Sequence, residues 1–131
     1  MTSKDLGDIG EEIAARYLSD SGFVLHHRNW RSHHREIDIV AEWYGEIVFV
    51  EVKTRRSEDF ATALSAVDHK KRHDTILAAR HYMNYFFGNQ PRTMRFDVIT
   101  VVGGANDEYE LTHYRRAFTP ESDRYVSEYE F

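Results

Sequence analysis

Apolar residues recur along this chain with two different periods, and the secondary structure is predicted to change where the period changes. Over residues 4–19 the spacing is helical: Leu6, Ile9, Ile13 and Tyr17 form a stripe that Gly10, Ala14 and Leu18 widen. Thr2 or Ser3 is placed to cap this helix and Gly22 to end it. A glycine costs a helix about 1 kcal/mol relative to alanine, so Gly7 and Gly10 predict that another element approaches closely at both. Glu11 falls on the flank of the stripe, beside Gly7, Ala14 and Leu18, which turns it toward the sheet, while Glu12 points away.

Alternation then replaces the helical period. Residues 23–28 read as a first strand and 29–35 as a polar, basic loop. Residues 36–40 and 49–55 are the arms of a hairpin that reverses at Tyr44-Gly45. Residues 57–67 are less regular, a loop or a short helical turn. Asp68 is placed to cap a long helix running to about Phe87, with Ile76, Ala79, Met83, Phe86 and Phe87 at helical spacing, and Gly88-Asn89 with Pro91 stops it. Tyr82, Tyr85, Phe86 and Phe87 read as core and interface aromatics. A strong strand over 95–102 and a weaker one over 109–113, after a glycine-rich turn, complete the order helix, three strands, helix, strand, strand.

At 131 residues the chain suits one domain, and no apolar run approaches the length that spans a bilayer. The N-terminus lacks the apolar core and cleavage site of a secretory signal, and no cysteine is available for disulfides, so a cytoplasmic protein without a membrane role is expected. The net charge of -5 argues against a nonspecific nucleic-acid coat, but the charge is unevenly spread. Between Lys53 and His73 six basic residues stand against three acidic ones, whereas residues 107–131 carry three basic and seven acidic. The basic middle is suited to phosphates. The acidic end is suited to solvent or to covering an idle site.

The chemistry concentrates on the hairpin. A turn closed by Trp43 and Glu46 sets Asp38 opposite Glu51 and Glu36 opposite Lys53, so two carboxylates share one face. Opposed like charges destabilise a sheet, and a divalent cation would compensate them. Ile37, Ile39 and Ala41 with Val48, Val50 and Val52 predict one covered face, which leaves these charges half-buried. Hard carboxylate oxygens suit Mg²⁺ or Mn²⁺, with the Val52 carbonyl placed to join the shell. Glu51 and Lys53, two apart, project together, so the ammonium can orient water or meet developing negative charge. With Glu11 from the preceding helix, this set suits phosphodiester hydrolysis.

Several stretches in order, Gly7-x-x-Gly10-Glu11-x-x-Ala14, Asn29-Trp30-Arg31, residues 36–41, residues 48–55, Ala66-Val67 with Lys71, and residues 95–99, resemble the YraN-like family of small bacterial proteins. That family is similar to the PD-(D/E)xK nuclease superfamily, which includes restriction enzymes and Holliday junction resolvases. The resemblance implies an α/β, restriction endonuclease-like fold, an αβββαβ core whose mixed central sheet is flanked by helices, over residues 1–118, with 119–131 an acidic, aromatic tail. It implies Mg²⁺ dependence and DNA as substrate, branched forms included, for which a homodimer would suit by symmetry. It assigns metal-ligand roles to Asp38 and Glu51, a catalytic role to Lys53 and a supporting acidic role to Glu11. Where the family pattern usually has glycine before Glu-Ile-Asp, this chain has Arg35. The rival reading is a noncatalytic DNA-binding or adaptor protein on the same scaffold.

Lys70, Lys71 and Arg72 open the long helix, where positive charge opposes the helix dipole and a phosphate would offset that cost. They, with Arg55 and Arg56 beyond the Glu-x-Lys strand, are the candidate nucleic-acid contacts, Lys71 favoured by the resemblance. His69 and His73 have the spacing of two zinc ligands but lack the glutamate of the zinc protease motif. The pairs His26-His27 and His33-His34 have no third ligand at persuasive spacing and are expected in solvent.

Overall fold

A computed structural model of the chain describes residues 2–56, 69–88, 90, 92–103 and 108–120. Its elements are α1 (Ser3–Asp20), β1 (Val24–Ser32), β2 (Arg35–Trp43), β3 (Glu46–Arg56), α2 (His69–Phe87), β4 (Met94–Gly103) and β5 (Tyr109–Phe118). The readings for residues 57–67, Asp68, Asn89, Pro91, the glycine-rich turn beyond Gly103 and the tail from 121 onward lie outside the described residues. The five strands form one sheet in chain order, antiparallel except where β3 runs parallel to β4. α2 is the crossover joining that parallel pair. This is the mixed α/β arrangement expected, with one helix on each face. No helix among the described residues is long and apolar enough to cross a membrane.

Two cores result. α1 covers one through Ala14, Ala15 and Leu18, packed on Ile39, Ala41, Val48 and Val50. α2 covers the other through Ile76, Ala79 and Tyr82, packed on Val40, Phe49 and Phe96. α1 starts as a capping box: Thr2 Oγ1 accepts from the Asp5 N–H at 3.1 Å and Asp5 Oδ2 from the Thr2 N–H at 3.0 Å. Its buried face is Gly10, Ala14 and Leu18, the flank expected to widen the stripe, together with Ala15, while the bulkier Leu6, Ile9, Ile13 and Tyr17 are only partly covered. Small residues win the contact because they bring the helix axis closest to the sheet. At Gly10 a Cβ would stand 1.8 Å from Thr54 Oγ1, whereas at Gly7 it would meet nothing within 4 Å. Close approach, expected at both glycines, holds at one.

The strands outrun their sequence signals. β1 does not end at Arg28 but continues to Ser32, leaving only His33 and His34 to reverse the chain. Asn29 sits in the left-handed region at φ 53°, a conformation asparagine tolerates, and beyond it Trp30 packs on the α2 core. β5 continues past His113 to Phe118, which is buried against Phe96. The tight turn is as expected, with Trp43 paired to Glu46 and both Tyr44 (φ 49°) and Gly45 (φ 85°) left-handed. On α2, Tyr82 and Phe87 join the core, but Tyr85 is 79% exposed and Phe86 41%. His27 is held by the Tyr82 hydroxyl at 2.8 Å, while His26, His33 and His34 lie at the surface.

β4 carries a second buried charge. Asp97, fully buried, accepts from Arg95 Nε and Nη2 at 3.1 Å each, from the Arg116 N–H at 3.0 Å, and pairs with His113 Nε2 at 2.7 Å. His113 Nδ1 shares a hydrogen bond of 2.9 Å with the Tyr17 hydroxyl of α1. Burial opposes ionisation of Asp97, but the His113, Arg116 and Arg95 bonds outweigh it and hold its carboxyl below the usual range.

The two glycines of α1 should respond oppositely to alanine. Gly10→Ala forces the added methyl into the short, β-branched Thr54 and should destabilise by about 1–3 kcal/mol. Gly7→Ala meets open space and should stabilise by up to about 1 kcal/mol. Thermal unfolding of the two variants checks the pair of signs.

Candidate functional site

The site forms where β2 and β3 part. Their ladder runs from Trp43–Glu46 to Ile39–Val50, the register set by the turn, and the ladder pairs stop there. The next pairs in that register, Asp38 with Glu51 and Glu36 with Lys53, are not made. Instead Asp38 Oδ2 accepts from the Val52 backbone N–H at 2.8 Å. Side-chain alternation breaks at the same point: Ile37 belongs to the α2 core and Ile39, two residues on, to the α1 core. The expectation that Ile37, Ile39 and Ala41 share one face holds only for the last two. In the β1–β2 register Asn29 faces Asp38 between the pairs Arg28–Ile39 and Trp30–Ile37, so its left-handed turn lies beside the break.

Around this parting lies a cleft of about 580 Å³ lined by Glu11 and Gly7 of α1, Asp38, the β3 run Glu51, Val52, Lys53, Thr54, Arg55 and Arg56, and Lys71 of α2. Glu51 sits on the central strand of the sheet and is 2% exposed. Its Oε1 is 3.3 Å from Lys71 Nζ and 3.5 Å from Lys53 Nζ, and its Oε2, buried, has no hydrogen-bond partner. Burial, then the Asp38 charge, pushes Glu51 up to about 7 against the pull of both lysines. Burial also raises Asp38, although the Val52 N–H and the lysines favour its charged form. Lys71 is drawn the other way: burial disfavours its charge, but Glu51 and Asp38 outweigh burial and raise it.

Glu11 enters this cleft, whereas Glu12 faces out, 2.9 Å from Arg28 and 3.7 Å from Arg16. Half-burial, then Asp38 and Glu36, pushes Glu11 up to about 7. Two carboxylate oxygens face the Asn29 amide, so its nitrogen belongs toward them, donating to Glu11 Oε1 at 2.7 Å and Glu36 Oε1 at 2.8 Å. Asn29 escaped the sequence reading as a site residue. Its signal was an asparagine, a left-handed former, between a strand and an apolar tryptophan.

The basic candidates separate. Lys71 enters the cleft, and Arg55 lines it while donating to the Thr54 carbonyl at 2.8 Å. Arg56 stands exposed at its mouth. Lys70 is in solvent, 3.3 Å from Asp74, and Arg72 is partly buried; neither lines the cleft. Three consecutive helical residues are about 100° apart and cannot face one surface. Among the described residues no group of three or more histidines, aspartates or glutamates is close enough to cage a metal. What the cleft offers is Asp38 and the unpartnered Glu51 oxygen, hard donors of the kind that bind Mg²⁺ while it keeps most of its waters. The donor set fits such an ion.

Compared with known proteins, residues 10–101 match a family described as "Uncharacterised protein family UPF0102". A UPF0102 protein of Bacteroides thetaiotaomicron is 45% identical over 116 residues, and one of Bacteroides fragilis 44% over 115, each match covering 88% of this chain and 93% of the relative. A UPF0102 protein of Rhodococcus opacus is 38% identical over 113 residues, covering 86% of this chain and 95% of the relative. Among solved structures, a protein of unknown function from Silicibacter pomeroyi matches at 15% identity and a TM-score of 0.32, over 88% of this chain and 76% of that one, too remote to inform the fold. The matched span runs from Gly10 through the cleft residues to Val101 of β4, and on it the chain belongs to the UPF0102 family, the YraN family that its motifs resemble.

Proposed function

We propose that this protein is a Mg²⁺- or Mn²⁺-dependent nuclease that hydrolyses phosphodiester bonds of DNA. The observation that carries the reading is Glu51: a buried carboxylate on an enclosed strand, beside a second carboxylate and two lysines, with one oxygen left unpartnered at the cleft. Leaving a buried charged group partly unsatisfied costs on the order of 1–3 kcal/mol, a cost that chemistry explains and packing does not. Asp38 and Glu51 would hold the ion, the Val52 backbone beside them. When bound, it would supply charge neutralisation at the phosphate and a lowered pKa for the attacking water.

The chain's own groups have separate tasks. Lys53, with its ammonium 3.5 Å from Glu51, donates to the oxygen on which charge develops. Lys71, at 3.3 Å from the same oxygen, favours the ionised form of Glu51. Glu11, held near 7, can take a proton from water at neutral pH, and Asn29 fixes its side chain. Arg55 and Arg56 continue the positive wall for the flanking backbone.

Two variants separate catalysis from scaffold. Asp38→Ala should lose both cleavage and the rise in melting temperature that excess Mg²⁺ gives the wild type. Lys53→Ala should keep that rise yet lose about 10²-fold or more in rate, because the removed interaction acts on the transition state. Wild-type protein that cleaves none of single-stranded, duplex, flapped and four-way DNA with Mg²⁺ or Mn²⁺, or a Lys53→Ala variant of full activity, would sink the nuclease reading in favour of a noncatalytic DNA-binding protein.

Stability should also carry the mark of the site. Glu11 titrates near 7 in the folded chain and near 4.5 unfolded, so its protonated form contributes stability that is complete below about 4.5 and lost as pH rises through about 7. In chelator, Glu11→Gln should therefore be more stable than wild type at pH 8, by about 1 kcal/mol once solvent screening is allowed for. At pH 4 the two should coincide. Equal melting temperatures at pH 8 would show that Glu11 is not strained by its neighbours.

A further inference from the structure

α2 leads away from the cleft along the β1–β2 hairpin, and the seam between them changes character along its length. At the cleft end three cations meet two anions: Lys71 lies beside Glu51, and Lys70 and Arg35 share Asp74 at 3.3 Å and 3.5 Å. Midway it is imidazole. His81 Nδ1 and Ser32 Oγ share a hydrogen bond of 2.8 Å, and the His81 ring meets His33 edge-on at 5.3 Å. At the far end it is aromatic: Tyr85, one turn beyond His81 and 79% exposed, meets Phe86 edge-on at 4.8 Å. Phe86 is in turn anchored against Tyr82 at 4.5 Å and His27 at 4.9 Å. From Lys71 to Tyr85 the helix rises about 21 Å, the reach of a few nucleotides.

Tyr85 is the residue that packing leaves unexplained. It gives the core almost nothing, yet its neighbour holds it in place. Cations followed by exposed rings are what an unpaired nucleic-acid strand requires, since its backbone needs positive charge and its bases offer free π faces. A duplex keeps its bases stacked inside and has no use for the rings. It also brings a second phosphate backbone, and α1, the other wall of the cleft, carries Asp5, Asp8, Glu11 and Glu12 against Lys4 in its first ten residues. A second copy of this chain suits the seam less well, because a twofold contact would bring Lys70 and Arg35 toward their own counterparts.

We propose, resting on the nuclease reading, that this seam is the track for single-stranded DNA, with phosphates at Lys70, Lys71 and Arg35 and an unpaired base stacked on Tyr85. The preferred substrate is then a strand freed from its complement, as in a flap or a single-stranded end.

The test is binding of the full chain, in chelator, to a labelled single-stranded oligonucleotide and to a duplex of the same sequence, across a salt series. Wild type should prefer the single strand. Tyr85→Ala should weaken single-strand binding about tenfold, within the range for one base–aromatic stack, without changing the salt slope, and leave duplex binding as it was. Tyr85→Phe should retain the affinity. Lys70→Glu should flatten the slope, because fewer counterions are released. A Tyr85→Ala variant that binds the single strand like wild type overturns the track, and if that variant also turns a wild-type dimer into a monomer on sedimentation, the rings are an interface between copies. Binding as proposed with no cleavage on adding Mg²⁺ keeps the track and removes the nuclease, whereas duplex cleavage indifferent to Tyr85→Ala does the reverse.

Discussion

Asp38 gives its carboxylate to a backbone N–H of the neighbouring strand, and the β2–β3 ladder ends where it does so. The parting turns a stretch of sheet into a cleft, and three other segments depend on it. Glu11 enters from α1, held there by Asn29; Lys71 enters from α2; and Ile37 is free to change sides and pack under α2 while Ile39 stays under α1. One side-chain hydrogen bond thus decides which residues can see each other.

Two buried carboxylates on adjacent strands show what such a site is by contrast. Asp97 of β4 has four donors on its two oxygens and is held below the ordinary range. Glu51 of β3, in register beside Val98, has two lysine contacts on one oxygen, no partner on the other, and is pushed up to about 7. Both are buried, so the difference lies in the donors and in the Asp38 charge that stands beside Glu51 alone. Asp97 ties α1, β4 and β5 together through His113 and Tyr17, a finished structural knot. Glu51 is unfinished, which is why the proposed metal site is placed there and not at Asp97.

Much of this was legible in the sequence because the signals were local. The Tyr44-Gly45 turn sets the hairpin register, alternation around Glu51 and Lys53 puts them on one face, and the helical wheel separates Glu11 from Glu12. What escaped was decided by tertiary contact. The polar stretch after Arg28 looked like a loop because nothing in it announces that Trp30 will find a core. On α1 the expected stripe holds, but its small flank and not its bulky centre packs closest, because Thr54 leaves room only for glycine. Lys70, Lys71 and Arg72 looked like one patch because they adjoin in sequence, but consecutive residues fan around a helix and of the three only Lys71 enters the cleft. Tyr85 was grouped with core and interface aromatics because composition cannot say which of four the packing will leave out.

The lone parallel pairing in the sheet has a consequence for how the cleft comes into being. Antiparallel neighbours need only a turn, but β3 cannot meet β4 until the whole intervening stretch, α2 included, has swung across, and Ile47 waits for Met94. The hairpin that carries Asp38 and Glu51 can close early, from local contacts, whereas Lys71 arrives only with the crossover. A chain still emerging from the ribosome therefore exposes two adjacent carboxylates with Lys53 of the same strand but without Lys71, and the cleft gains its second lysine only once the crossover has folded. The order of the strands thus delays the balanced cleft until the chain through β4 has folded.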